Sequence, residues 1–284
     1  MNIAQQIING LVLGSGYACV ALGWTILLGV ARLVNFAHGQ LYMLGAFVTW
    51  YAMTKAGMPY PVAILAAIIA LGILGALLQT AMMRLVMTQN LTSLMIVTLG
   101  FGYVLQGGSA LIFGGNPQTL PGTLARAKVD LGSVWFTWQD VLVLVATLLL
   151  YAAVWLFTQK TRFGSVIRAV AEDPKLAELF GINAKIVYLL VFIFECSAVA
   201  LGAALVAPRS PILTSMGFNE VIMTFVVVVV GGIGSITGAL IAGLGLGLFI
   251  AFFGAFVAQA YTTAAAFALL LILLVIRPAG LASK

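Results

Sequence analysis

Apolar runs long enough to cross a bilayer follow one another along this chain with few charges inside them, and nothing else in it constrains the fold more. They fall at about 5–29, 37–54, 61–82, 93–113, 139–158, 185–206, 219–237, 238–255 and 260–276. A hydrocarbon core about 30 Å thick takes roughly 20 apolar residues at helical rise. Backbone that faces lipid must satisfy its own N–H and C=O groups, so the spans are expected to be helices. A barrel needs short alternating segments, whereas runs such as Ile222 to Val230 are long and do not alternate. Composition agrees. The chain is 63% hydrophobic and 7% charged with a mean hydropathy of +1.18, where soluble domains carry about 25% charged residues. The expected fold is all-α: a polytopic transmembrane bundle of about eight spans (seven to nine), forming one domain over 1–284. The stretch 219–255 is long for one helix and barely enough for two, so span parity near the end stays open.

A net charge of +6 invites a nucleic-acid reading, but the positive residues are scattered singly over the polar connections, and no nucleic-acid partner is expected. In a membrane protein such a balance reports loop topology. With the charged 159–184 connection on the cytoplasmic side, Arg32, Arg84, Lys160, Arg162, Arg168, Lys175, Lys185, Arg277 and Lys284 share that side. Lys55, Arg126, Lys128 and Arg209 fall opposite, and nine against four fits the positive-inside tendency. No Lys or Arg precedes Arg32, so the N-terminus lacks the basic region of a signal peptide and reads as a permanent span. Cys19 and Cys196 lie in apolar segments and read as small buried hydrophobes. Gly10-x-x-x-Gly14 and Gly243-x-x-x-Gly247 are spaced for close helix contact, without naming a partner.

Most of the charge sits in 159–184, and its second half carries the punctuation of a short helix. Asp173 suits the N-cap, Pro174 the first helical position and Gly181 the left-handed position after the last turn. The spacing predicts two turns over 174–180 with Leu176, Leu179 and Phe180 on one face, and Asn183 can cap the following span. Such a face has two uses: docking into a groove on a cytoplasmic partner, or packing on its own bundle.

Three motifs in order resemble one family. Arg168-Ala169-x-Ala171-Glu172-Asp173, followed by Ala177 and Gly181-Ile182-Asn183, is similar to the ATPase-contacting loop of branched-chain amino acid ABC transporter permeases. Asn35-Phe36-Ala37-His38-Gly39 with Met43-Leu44-Gly45-Ala46, and Gly231-Gly232-Ile233-Gly234-Ser235 with Gly238-Ala239, match the same family. Weaker agreement at Gly100, Gln106 and Phe113-Gly114 extends the resemblance over essentially the whole chain. It implies the smaller of two paired permeases in a bacterial inner-membrane importer, with a homologous sister permease, two ABC ATPase subunits and a periplasmic solute-binding protein. Coupling to the ATPases would fall to Arg168, Glu172, Asp173, Leu176, Leu179, Phe180 and Gly181. The chain has no G-x-x-x-x-G-K-[ST] phosphate loop, so if transport is ATP-driven the ATPase is a separate polypeptide. The resemblance accordingly implies a transport subunit that is no enzyme and needs no cofactor, with ATP bound by the partner subunits. Gln40 stands where relatives often place an acid and Met223 where many carry a lysine. These departures leave open leucine-like amino acids, aromatic or other small carboxylates, and amides such as urea.

Two segments break the helical pattern, Arg32 to Gly39 in the first block and Gly231 to Ser235 in the last. Paired breaks in the two halves of a transporter point to a binding or gating region, where unwound backbone meets a zwitterionic solute. The alternative is an ordinary interhelical turn. On the first reading Asn35, Phe36, His38, Gly39, Gln40, Gly231, Gly232, Gly234, Ser235 and Gly238 line the solute path, and the two segments approach each other or their counterparts in the sister permease. His38, the single histidine, cannot build a metal site alone. Glu195 lies near the middle of 185–206 beside Ser197, and an acid there costs up to about 2.5–3.5 kcal/mol on the insertion scale. It should face protein, as a hydrogen-bonder to a neighbouring helix or as a solute contact. A secondary transporter or channel also tolerates broken helices, with Gly-Gly-Ile-Gly-Ser as a filter-like loop. A hydrolase built on Ser235 and His38 has no G-x-S-x-G elbow and no oriented acid to support it.

Overall fold

The computed structural model describes residues 2–87, 91–120, 127–130, 132, 134–277 and 280–281, with side chains for all of these except 82–87 and 91. Arg126 and Lys284 lie outside the described residues, and Arg84 outside the described side chains.

The helices are α1 (Ile3–Ala31), α2 (His38–Thr54), α3 (Tyr60–Met87), α4 (Leu91–Phe113), α5 (Trp138–Lys160), α6 (Arg162–Glu172), α7 (Pro174–Leu179), α8 (Ala184–Val206), α9 (Met216–Gly231), α10 (Ile236–Phe253) and α11 (Thr262–Ile276). A small antiparallel hairpin, β1 (Lys128–Asp130) with β2 (Trp135–Thr137), precedes α5. The apolar runs of the sequence fall on helices, with one boundary displaced, so the chain is an all-α polytopic membrane bundle. Among the described residues six helical stretches are long and apolar enough to cross a membrane, the last being the region Ile236–Ile276. That region is divided where Ala258 adopts extended backbone, and α10 and α11 pack on each other. α2 and α9 are shorter, at 17 and 16 residues, which is roughly 24–26 Å of helix.

The stretch 219–255 is therefore two helices, but the division comes at 232–235 rather than at 237/238, where hydropathy places it. The cause is local. Gly232 (φ 96°) and Gly234 (φ 80°) take backbone that other residues resist. Ser235 then restarts the helix, its Oγ accepting from Gly238 N at 3.1 Å.

α1 forms the centre: 83% of its apolar window is buried, against 17% for α4 at the periphery. Its contacts run along α10, α8, α5 and α9. The two glycine pairs meet each other across the α1–α10 crossing. A Cβ on Gly14 would lie 2.6 Å from Gly243 O, and one on Gly10 would lie 2.7 Å from Leu248 Cα. Small residues here permit backbone-to-backbone contact that any side chain would prevent.

The bundle has two distinct ends. At one, Arg32 donates to Ala171 O of α6. At the other, Gln5 bonds Trp135 of the hairpin, and Arg209 Nε lies 3.0 Å from Asp140 Oδ1. There α5 starts on a capping box, with Thr137 and Asp140 each bonding the other's backbone. Gln139 ties the same end together, donating to Tyr60 Oη and to Leu205 O.

Candidate functional site

Arg32, in left-handed backbone at φ 53°, ends α1 and turns the chain back into the bundle. Residues 33–37 run to the start of α2, and the polar groups of this break converge on one carboxyl group. Asn35 Nδ2 donates to Glu195 Oε1 at 3.1 Å and Oε2 at 3.3 Å. His38 Nδ1 lies 3.0 Å from Oε1. Asn35 Oδ1 meanwhile accepts from Ala37 N, capping the turn, and Phe36 N donates to Thr98 Oγ1. Trp24 of α1 stacks on the imidazole with ring centroids 4.8 Å apart. Asn35, His38 and Glu195 are all buried.

Glu195 is the twelfth of 23 residues in α8, at its centre. It faces protein, and its partners come from the α1–α2 connection rather than from Ser197, which donates to Ile68 O on α3. Nδ1 is the ring nitrogen that meets the carboxyl group, and Nε2 points away from it. His38 Nε2, Trp24 Nε1, Gln40 Oε1 and Thr224 Oγ1 are buried and without hydrogen-bond partners among the described residues. Such atoms are costly to strand, so this part of the interior is polar by construction.

The second break packs elsewhere. A Cβ on Gly231 would lie 2.6 Å from Gly238 C, and Gly29 of α1 abuts Gly234. Residues 280–281 pack over this turn: Gly280 meets Gly232, and Leu281 N donates to Val230 O at 2.8 Å. Gly39 packs instead on Gly217 at the start of α9, and Gln40 beside it reaches the same glycine. The two breaks thus occupy different depths. One folds inward beside the centre of α8, while the other lies level with Gly29, six residues beyond the Gly23 that touches Glu195. Within this chain they do not form one shared lining. Ser235 is engaged as a helix cap and His38 with Glu195, so no serine–histidine pair is assembled.

At the charged end, Asp173 caps α7 by accepting from Lys175 N and Leu176 N at 2.9 and 3.1 Å. Gly181, at φ 80°, ends the turn as its pattern predicts. Helix α7 stops at Leu179, with Phe180 as its cap residue. Ala177 is buried against the bundle while Leu176, Leu179 and Phe180 are 53%, 83% and 77% exposed. Arg168 NH1 donates to Thr158 O and NH2 to Ser165 Oγ, bracing α6 on the end of α5. Arg168, Glu172 and Gly181 are exposed beside the apolar face.

Hydropathy averaging hides one more acid. Glu220 sits in the second turn of α9 and lines a small cavity with Tyr17, Tyr42 and Arg209. The signal for it was present, since it is a carboxylate at the head of an apolar run.

Comparison with known proteins places these features in a family. The model of the branched-chain amino acid transport system permease component matches residues 6–276. The high-affinity branched-chain amino acid transport system permease protein BraD of Pseudomonas aeruginosa is 32% identical, over 99% of this chain and 95% of its own length. The corresponding permease protein LivH of Escherichia coli is 31% identical, again over 99% and 95%. At lower identity, the galactofuranose transporter permease protein YtfT of Escherichia coli is 26% identical over 78% of this chain and 62% of its own.

Proposed function

The chain belongs to the family of permease components of branched-chain amino acid transport systems, and on that footing we propose that it is the membrane-spanning subunit of a binding-protein-dependent importer in a bacterial inner membrane. Its solutes are branched-chain amino acids or closely related small molecules. ATP is bound and hydrolysed by two separate ABC ATPase subunits. A homologous sister permease completes the membrane unit, and a periplasmic binding protein delivers the solute.

The observation that carries this reading is α7. Its backbone is fixed at both ends by Asp173 and Gly181, and its buried side is anchored through Ala177. Yet three large apolar side chains point outward from the charged end of the bundle. Each would gain about 1.5–3 kcal/mol on burial, and an apolar helix face seated in a groove is a standard way to obtain it. The neighbouring Arg168 and Glu172 supply a polar rim.

The experiment is reconstitution. Proteoliposomes holding this chain, its sister permease and the ATPases should accumulate radiolabelled leucine when ATP is inside and binding protein outside. The chain alone should transport nothing. Leucine uptake by the chain alone, without ATP, would establish a secondary transporter or channel instead.

A further inference from the structure

Four polar side chains from four parts of the fold line one cavity at the end of the bundle opposite α7. Tyr17 comes from α1, Tyr42 from α2, Glu220 from α9 and Arg209 from the turn after α8. The rest of the wall is apolar, including Leu13 and Val206. Glu220 makes no hydrogen bond and no ion pair among the described residues, which is unusual for an acid inside an apolar helix. Arg209 is engaged only through Nε, with Asp140, and its two terminal nitrogens are unpartnered among the described residues. The Tyr17 and Tyr42 hydroxyls likewise have no hydrogen-bond partner there, in contrast to Tyr60 and Tyr151, which bond backbone carbonyls.

An anionic group, a cationic group and two hydroxyls around an apolar wall match the two charged ends and aliphatic side chain of an α-amino acid. We infer that this cavity is an outer solute subsite in which Glu220 receives the α-ammonium group and the free guanidinium edge of Arg209 receives the α-carboxylate. This rests on the importer reading above and deepens it by naming the residues that recognise a zwitterion. Tyr17 and Tyr42 complete the hydrogen bonds, and Leu13 and Val206 face the side chain. A lone cation would leave the terminal nitrogens of Arg209 without a partner, and a lone carboxylate would leave Glu220 without one. Asp140 Oδ1, 3.0 Å from Arg209 Nε, pairs with the guanidinium from outside the cavity lining. The cavity volume is about 30 Å³, room for water but not for an amino acid. This conformation is therefore the closed state of the subsite, and solute enters when α9 parts from α1 and α2.

The test uses the assembled transporter in proteoliposomes with Leu13→Cys as a reporter, since Cys19 and Cys196 are both buried. Leucine should slow labelling of the introduced thiol by a small charged reagent at least tenfold. With Glu220→Gln added, the protection should fall below twofold. 4-Methylpentanoate, which lacks the amine, and 3-methylbutylamine, which lacks the carboxylate, should each protect less than twofold. Val206→Cys provides the same readout from another wall if Leu13→Cys does not assemble. ATP-driven leucine uptake is measured on the same vesicles. Uptake without protection, or full protection retained in Glu220→Gln, overturns the subsite and leaves the importer reading intact. Absence of leucine uptake by the unsubstituted assembly overturns both.

Discussion

His38 Nδ1 lies 3.0 Å from Glu195 Oε1 although the two residues are 157 positions apart. The contact joins the start of α2 to the centre of α8, and Asn35 joins the same carboxyl group from the other side. Two side chains of the break thus meet one buried carboxyl group at mid-bundle, and the connection between α1 and α2 is held inward by them.

Glu195→Gln and Glu195→Leu should therefore separate. A glutamine amide keeps an oxygen that can accept from both Asn35 Nδ2 and His38 Nδ1, so folding should be nearly unchanged. Leucine strands both donors, at about 1–3 kcal/mol for each. Thermal unfolding of the purified chain in detergent should show a clear drop for Glu195→Leu alone. Equal melting of the two variants would mean that these hydrogen bonds contribute nothing.

Leu179→Asp should abolish ATPase association and leucine uptake while membrane insertion and melting stay at the parent level. The side chain is 83% exposed, so the substitution disturbs nothing within the chain. Co-purification with the ATPase subunits is the measurement, and normal coupling in this variant rules α7 out as the contact.

Asp173→Ala should loosen α7 by about 1 kcal/mol, because both N–H groups that its Oδ1 accepts lose their partner. Amide exchange at Lys175 and Leu176 should accelerate roughly fivefold, the factor that such a free-energy change implies. Unchanged exchange would show that Pro174 and Ala177 hold the turn unaided.

Gly14→Ala and Gly107→Ala form a matched pair within helices. Alanine is intrinsically better than glycine in a helix by about 0.8–1 kcal/mol, and Gly107 has open space around it. At Gly14 the added carbon falls 2.6 Å from Gly243 O, so α1 and α10 must separate. Overpacking of that kind costs about 1–3 kcal/mol. The isolated chain should melt lower with Gly14→Ala and no lower with Gly107→Ala.

What could be read from the sequence was local. Apolar runs located the described membrane helices apart from the α9–α10 boundary, and Asp173, Pro174 and Gly181 located α7 to within a residue, because caps act on neighbours in the chain. The spacing of Gly10, Gly14, Gly243 and Gly247 announced close contact but not that the pairs face each other. Glu195 announced only a need. Its partners sit in a turn about 160 residues earlier, and nothing in the periodicity of α8 points there. Glu220 is obscured for a different reason: the run Val221 to Val230, apolar but for Thr224, outweighs one carboxylate in an averaged hydropathy, and its significance depends on Tyr17, Tyr42 and Arg209 arriving from elsewhere.

The glycine crossing of α1 and α10 also sets an order of assembly. α1 leaves the ribosome first, yet the surface against which Gly14 fits is not made until Gly243, more than two hundred residues later. At about 5–20 residues per second that is an interval on the order of tens of seconds. Through that time the central helix sits in the bilayer with its smallest, least lipid-filling face uncovered. A chain cut short before α10 has every early helix and no keystone, and it should be recognised and degraded as unfinished.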